Sequence, residues 1–126
     1  MAISILRSVR PTSKWQDSLI RIRLGQRVVI DSEETWSPDM LDQVVWCGPD
    51  GIYKFPGSDQ YLVPGANVGC LVARIGNGKA FAVGSRYDFL AKEAGVIFFA
   101  MNEDPQRNSQ AGKILTQVIV FESESN

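Results

Sequence analysis

The sequence predicts an all-β fold, a single-domain β-sandwich of the jelly-roll type. Apolar and polar residues alternate with a period of two over several short segments, as they do in strands with one buried face. Turns rich in glycine, proline and asparagine separate these segments, and no long amphipathic helix interrupts them. Seven or eight short strands divided in this way are typical of a sandwich or a jelly roll.

The clearest strand pair is predicted between residues 69 and 84. Residues 70–75 alternate with a period of two, and Gly76-Asn77-Gly78 tolerates the positive φ that a chain reversal needs. Residues 80–83 then supply the partner strand. The apolar run 96–101 is typical of a strand that is covered on both faces. We therefore expect these segments to supply the centre of the core: Leu71, Ala73, Ile75, Ile97 and Phe99.

Further strands are predicted on both sides of this centre. Residues 3–9 form a first strand, and residues 44–47 form a short one after the first third of the chain. Residues 19–30 are predicted to form a hairpin that turns at Gly25-Gln26. Residues 113–121 alternate again and are expected to form the last strand, with positions 114, 116, 118 and 120 on one side.

Two segments lack a clear strand pattern. Residues 31–42 combine acidic residues with Pro38, which predicts a loop that carries Trp36 and a short helical turn around Met40-Leu41. Residues 86–93 are expected to form an edge connection, with a helical turn as the alternative.

Composition and charge exclude several classes of function. A chain of 126 residues with 44% hydrophobic and 21% charged residues is long enough for one self-sufficient core. The net charge is −1 and no basic stripe exists, so nucleic acid is not an expected partner. No apolar run reaches the length of a membrane-spanning helix, so no membrane insertion is expected. Residues 1–9 lack the features of a secretory signal, which predicts a cytoplasmic protein or one released without a classical signal peptide.

The absence of histidine restricts the chemistry further. It removes the usual general base and the catalytic triads that depend on one. Two cysteines without histidine also disfavour a zinc site. We expect Cys47 and Cys70 to be reduced and largely buried, although their spacing does not decide whether they form a disulfide. The protein is therefore not expected to be an enzyme; the carboxylates of Asp59 and Glu103, as a glycosidase pair, are the catalytic alternative.

Four short segments follow one another in a characteristic order: residues 24–30, 46–51, 69–76 and 95–103, the last continuing through a polar loop to Gly112. In this order they resemble the bacterial calcium-dependent galactose-binding lectins, the galactophilic lectin family. The resemblance extends over residues 17 to 121. It implies a galactose-binding-like sandwich, calcium as a cofactor, a galactoside-like carbohydrate as a partner, and a homo-oligomer.

The resemblance also implies which residues hold the metal. In the family, carboxylate and amide oxygens of the loop after the penultimate strand hold calcium, and sugar hydroxyls complete the shell of the ion. Calcium needs several oxygen ligands, so such a loop is chemically suitable. Glu103 stands where the family has an aspartate, and Asn108 is the nearest match to its paired asparagines; with Asp104 they are the expected calcium ligands. Arg107 departs from the pattern because its positive charge repels the ion, and the second asparagine of the family is absent.

A second loop of the family contacts the sugar through a histidine before a proline and through a later glutamine. Here Phe55 replaces the histidine, and Asp59 and Gln60 follow the proline. The resemblance thus implies that these three residues face Glu103 and Asn108 across the sugar. A different class of function stays open: a structural or protein-interaction sandwich that has lost its sugar site.

Overall fold

The computed structural model describes residues 1–41, 44–107 and 109–122. Over these residues the chain is an all-β sandwich of eleven strands without a helix, so none of the described residues forms a helix able to span a membrane. The strands are β1 (Ala2–Val9), β2 (Gln16–Ile22), β3 (Arg27–Glu33), β4 (Trp36–Asp39), β5 (Val45–Cys47), β6 (Leu71–Ile75), β7 (Phe81–Ala82), β8 (Arg86–Leu90), β9 (Gly95–Met101), β10 (Ala111–Gly112) and β11 (Ile114–Phe121).

Two four-stranded antiparallel sheets form the layers. Sheet I has the order β1-β11-β3-β8, and sheet II has the order β2-β9-β6-β7. A small sheet III, with the order β10-β4-β5, lies between the long connections of the chain. The inward residues of sheets I and II pack in one core. β2 and β11 alternate more buried and more exposed residues, whereas β6 and β9 are buried on both faces.

The predicted centre of the core is confirmed. Leu71, Ala73, Ile75, Ile97 and Phe99 are each at most 4% exposed. β6 and β7 form the predicted central hairpin, and β6 pairs with β9 on its other side. Burying a side chain the size of leucine or phenylalanine stabilises the fold by about 1.5–3 kcal/mol, so these positions anchor the sandwich.

The prediction of a hairpin over residues 19–30 is wrong. β2 pairs with β9 in sheet II, whereas β3 pairs with β11 and β8 in sheet I. The turn at Gly25-Gln26 carries the chain across the core, and Ala91 holds it: the Gly25 N–H donates to the Ala91 carbonyl and the Ala91 N–H donates to the Gln26 carbonyl, both at 2.8 Å. Both strands are apolar on one face, and they bury these faces against each other across the core.

The two segments without a clear pattern are also strands. Residues 86–90, expected to be an edge connection, form the paired strand β8 at the edge of sheet I, and not a helical turn. Residues 36–39, predicted as loop, form β4, and Met40 and Leu41 do not form the expected helical turn. Trp36 is 0% exposed, and its Nε1 donates to the Gly69 carbonyl at 2.7 Å. This indole therefore links sheet III to the start of β6, which the local sequence does not reveal.

Cys47 and Cys70 are free and buried, as predicted. Burial raises the pKa of each thiol to about 11. Both thiols are therefore protonated and unreactive near neutral pH.

Candidate binding site

A pocket of about 230 Å³ opens where three parts of the chain meet. These are sheet III, the long connection between β5 and β6, and the loop after β9. We call it the candidate pocket. Its apolar lining is Pro38, Val45, Ile52 and Val68, its aromatic residues are Phe55 and Tyr61, and its polar residues are Asp39, Glu103, Asp104 and Arg107.

The connection between β5 and β6 is positioned by Asn102, the residue that directly follows β9. The Asn102 side chain is 0% exposed and accepts a hydrogen bond from the Val63 N–H at 2.9 Å. Its amide nitrogen donates to the carbonyls of Val63 and Ala66 at 3.0 and 3.1 Å. A loop with few regular hydrogen bonds needs such side-chain partners for its backbone. Asn102 therefore fixes the loop that supplies the aromatic side of the pocket.

Glu103 contributes to the wall, although it is only 1% exposed. Its Oε1 accepts from the Ser13 N–H at 2.9 Å, and Gln110 Nε2 donates to its two oxygens at 2.7 and 2.6 Å. Burial raises the pKa of this carboxyl to about 7, while the hydrogen bonds from Gln110 and Ser13 act in the opposite direction. Glu103 is therefore partly protonated near neutral pH.

Asp39 and Arg107 form an ion pair in the wall of the pocket. Arg107 Nη1 donates to Asp39 Oδ2 at 2.7 Å, and the Ser109 hydroxyl donates to Asp39 Oδ1 at 3.1 Å. The Asp39 side chain is 12% exposed and that of Arg107 is 42% exposed. A charge-assisted hydrogen bond in such partial burial holds both groups in a defined geometry. The pocket thus presents a fixed donor beside a fixed acceptor.

The structure brings some of the predicted site residues together and leaves others apart. Phe55, Glu103 and Asp104 all line the candidate pocket. Asp59 and Gln60 are exposed and do not line it, whereas the next residue, Tyr61, does. Asn108 lies outside the described residues.

The sequence analysis did not predict that Asp39, Tyr61 and Arg107 line the pocket, or that Asn102 positions the loop beside it. For Asn102 a signal existed: it is the first polar residue after the apolar run of β9. For Asp39 none existed, because its partners come from residues far along the chain.

The described donors do not fit a calcium site. Among the described residues, no group of three or more His, Cys, Asp or Glu side chains could hold a metal ion. The Gln110 amide nitrogen lies where an ion bound by both oxygens of Glu103 would lie, and the Arg107 guanidinium lies against Asp39. Calcium binding therefore remains a prediction from the family resemblance. The geometry of the described residues does not support it.

Two larger depressions lie elsewhere on the described surface. One, of about 360 Å³, is formed by β1, β3 and β11, and the other, of about 320 Å³, lies between the edges of β1 and β2. No described aromatic residue lines either of them. Of these three depressions on the described surface, the candidate pocket is the one that combines aromatic rings, converging polar groups and a carboxyl with a raised pKa, the usual marks of a binding site.

Comparison with known proteins gives a likeness of fold. No family model matches the chain, and no curated protein matches it. Among solved structures, the chain is similar to the N-terminal domain of EclA, a PllA-like lectin, with a TM-score of 0.68 and 15% identity. The likeness covers 92% of this chain and 95% of that chain. At this identity the likeness concerns the fold: this chain has a lectin-like β-sandwich.

Proposed function

We propose that the protein is a non-enzymatic carbohydrate-binding protein whose candidate pocket takes one neutral sugar residue, with a galactoside as the first ligand to test. The observation that carries the proposal is the combination of Phe55 and Tyr61 with the Asp39–Arg107 pair in one small pocket. Aromatic rings stack on the apolar face of a sugar ring, and fixed polar groups exchange hydrogen bonds with its hydroxyls. Likeness to a lectin fold supports the same class of function.

The size and charge of the candidate pocket restrict the class of ligand that it can bind. Pockets for drug-sized ligands measure about 300–1,000 Å³. The candidate pocket, at about 230 Å³, is smaller and suits a single sugar ring. Its wall contains three carboxyl groups, those of Asp39, Glu103 and Asp104, and one guanidinium. This excess of carboxyl groups favours neutral sugars over acidic ones.

Phe55→Ala tests the stacking role. Phe55 is 53% exposed and lines the pocket, so its loss should weaken binding of a recognised glycan by about tenfold, because ring contacts are worth about 1 kcal/mol or more. Tyr53→Ala is the matched control, since Tyr53 is 82% exposed and does not line the pocket. Calorimetry of glycan binding by both variants tests this prediction. Equal losses in the two variants would reject the stacking role of Phe55.

Self-association is a second proposal, and the edge of sheet I supports it. β1 is eight residues long, and within the described ranges 1–41, 44–107 and 109–122 it pairs only with β11, so no described strand covers its other edge. Ile3 and Leu6 on this strand are 50% and 57% exposed. A long apolar edge strand favours pairing with another chain, and a second copy is the simplest partner.

Leu6→Lys should therefore shift the protein towards the monomer, because a charge on an edge strand opposes pairing. Leu24→Lys is the control: Leu24 is 67% exposed and lies in the turn between β2 and β3. Sedimentation velocity at micromolar concentrations compares the two with the wild type. A wild-type protein that is purely monomeric would refute the self-association proposal.

A further inference from the structure

We infer that the candidate pocket binds its sugar without a divalent cation, that the Arg107 guanidinium is the fixed donor to the sugar while the Gln110 amide occupies the place of an ion on Glu103, and that the pocket selects a neutral sugar with two adjacent hydroxyls. This inference rests on the proposed carbohydrate-binding function. Three features of the pocket wall lead to it.

The first feature is the environment of Gln110 Nε2. Three oxygens surround this nitrogen: Glu103 Oε1 at 2.7 Å, Glu103 Oε2 at 2.6 Å and the Arg107 carbonyl at 2.7 Å. Several oxygens converging on one point, two of them from a single carboxylate, are the arrangement that a calcium ion prefers. Here an amide N–H₂ group of the chain occupies that point. Glu103 thus has hydrogen-bond partners on both oxygens without an ion.

The second feature is the charge of Arg107. Its guanidinium lies 2.7 Å from Asp39 Oδ2, so the carboxylate that could attract a cation already has one. Asp39 Oδ1 accepts two further hydrogen bonds, from the Leu41 N–H at 2.9 Å and from the Ser109 hydroxyl at 3.1 Å. A divalent ion beside this guanidinium would be repelled, since like charges about 4 Å apart oppose each other by several kcal/mol in a partly buried site. The fixed positive charge therefore takes the place of the ion.

The third feature is the pairing of donor and acceptor groups. A sugar with adjacent hydroxyls presents, side by side, one oxygen that accepts and one O–H that donates. The planar guanidinium of Arg107, 42% exposed, can donate to the first, and the carboxylate of Asp104 on the same pocket wall can accept from the second. An acidic sugar would add a negative charge to a wall that already has three carboxyl groups. The wall therefore selects neutral vicinal diols.

A glycan array with neutral and acidic glycans, probed with the purified protein in EDTA and again in calcium, is the first test. We expect the same neutral glycans to bind in both buffers, with affinities that differ by less than about twofold, and calcium alone to give no heat in calorimetry. Binding only in the presence of calcium would overturn this inference and leave the proposed function standing. Preference for acidic glycans would overturn the inference as well. Absence of binding to any glycan in both buffers would overturn the proposed function together with the inference.

Arg107→Gln is the second test, with the strongest neutral glycan of the array as the probe. The variant removes the guanidinium that donates to the sugar, so we expect an affinity loss of at least about tenfold in EDTA. Arg86→Gln is the matched control, because Arg86 also pairs with an aspartate, at 2.8 Å, but lies on β8 and does not line the pocket. Thermal unfolding of both variants monitors the fold. Unchanged affinity in a folded Arg107→Gln protein would contradict the assignment.

Discussion

Replacing Asn102 with alanine should lower the free energy of unfolding by about 2–3 kcal/mol, because it leaves the Val63 N–H without its acceptor and removes the amide bonds to two carbonyls. The side chain is 0% exposed and bonds the Val63 N–H, the Val63 carbonyl and the Ala66 carbonyl at 2.9–3.1 Å. An unsatisfied donor in such a site costs about 1–3 kcal/mol, and the two carbonyls, which also accept from the Ala66 and Gly57 N–H groups, add less. Chemical denaturation measures the change.

The same substitution should release the connection between β5 and β6. Hydrogen exchange of the Val63 amide should become much faster in the variant, because its acceptor is gone. Asn67→Ala is the control, since the Asn67 side chain makes one long bond, at 3.3 Å, to the Asp50 carbonyl near the surface, and should cost less than about 1 kcal/mol. If the two variants lost the same stability, Asn102 would not be the main anchor of the loop.

Glu103→Gln should change how stability depends on pH. Burial raises the pKa of Glu103 to about 7, from an ordinary value of 4.5, so the folded state binds more protons than the unfolded state between these values. The resulting stabilisation is complete below about pH 4.5 and is lost as the pH rises through about 7, with a maximum of about 3 kcal/mol for a full shift. Glutamine resembles the protonated acid in shape and does not titrate, although its amide nitrogen cannot accept the second bond from Gln110, a loss that does not depend on pH.

We therefore expect the stability of the variant relative to the wild type to rise by about 2–3 kcal/mol between pH 5 and pH 8. Denaturation curves of both proteins at a series of pH values give this difference directly. Taking the difference cancels the titration of the remaining groups. A difference that stays constant over this range would show that Glu103 titrates at an ordinary pKa.

The core was predictable from the sequence because buried strands leave a local pattern of apolar residues, either alternating or continuous. The alternation in residues 70–75 and the apolar run in residues 96–101 identify positions that are buried in the structure. The course of the chain from sheet II to sheet I was not predictable from such a local pattern. The turn at Gly25-Gln26 has the chemistry of a hairpin, and only its contacts with Ala91, more than sixty residues later, direct the chain across the core.

The candidate site was only partly predictable from the sequence. The order of segments places the loop of Phe55 near the loop of Glu103 and Asp104, and the structure unites these three residues in one pocket. Asn102 holds this first loop through the Val63 N–H, and in the loop Tyr61 lines the pocket whereas Asp59 does not. Local sequence does not encode this arrangement, because the hydrogen bonds that hold the loop join residues far apart in the chain.

The central claim, that the candidate pocket binds a neutral sugar, is tested most directly by titrating isotope-labelled protein with a methyl galactoside and with the strongest neutral glycan of the array, in EDTA, while backbone amide signals are recorded. The account predicts saturable shifts that are concentrated at Phe55, Tyr61, Asp104 and Arg107, which line the pocket, with little change at Tyr53 or Arg86, which do not. Shifts confined to another surface, or no shift at millimolar sugar for any glycan tested, would contradict it.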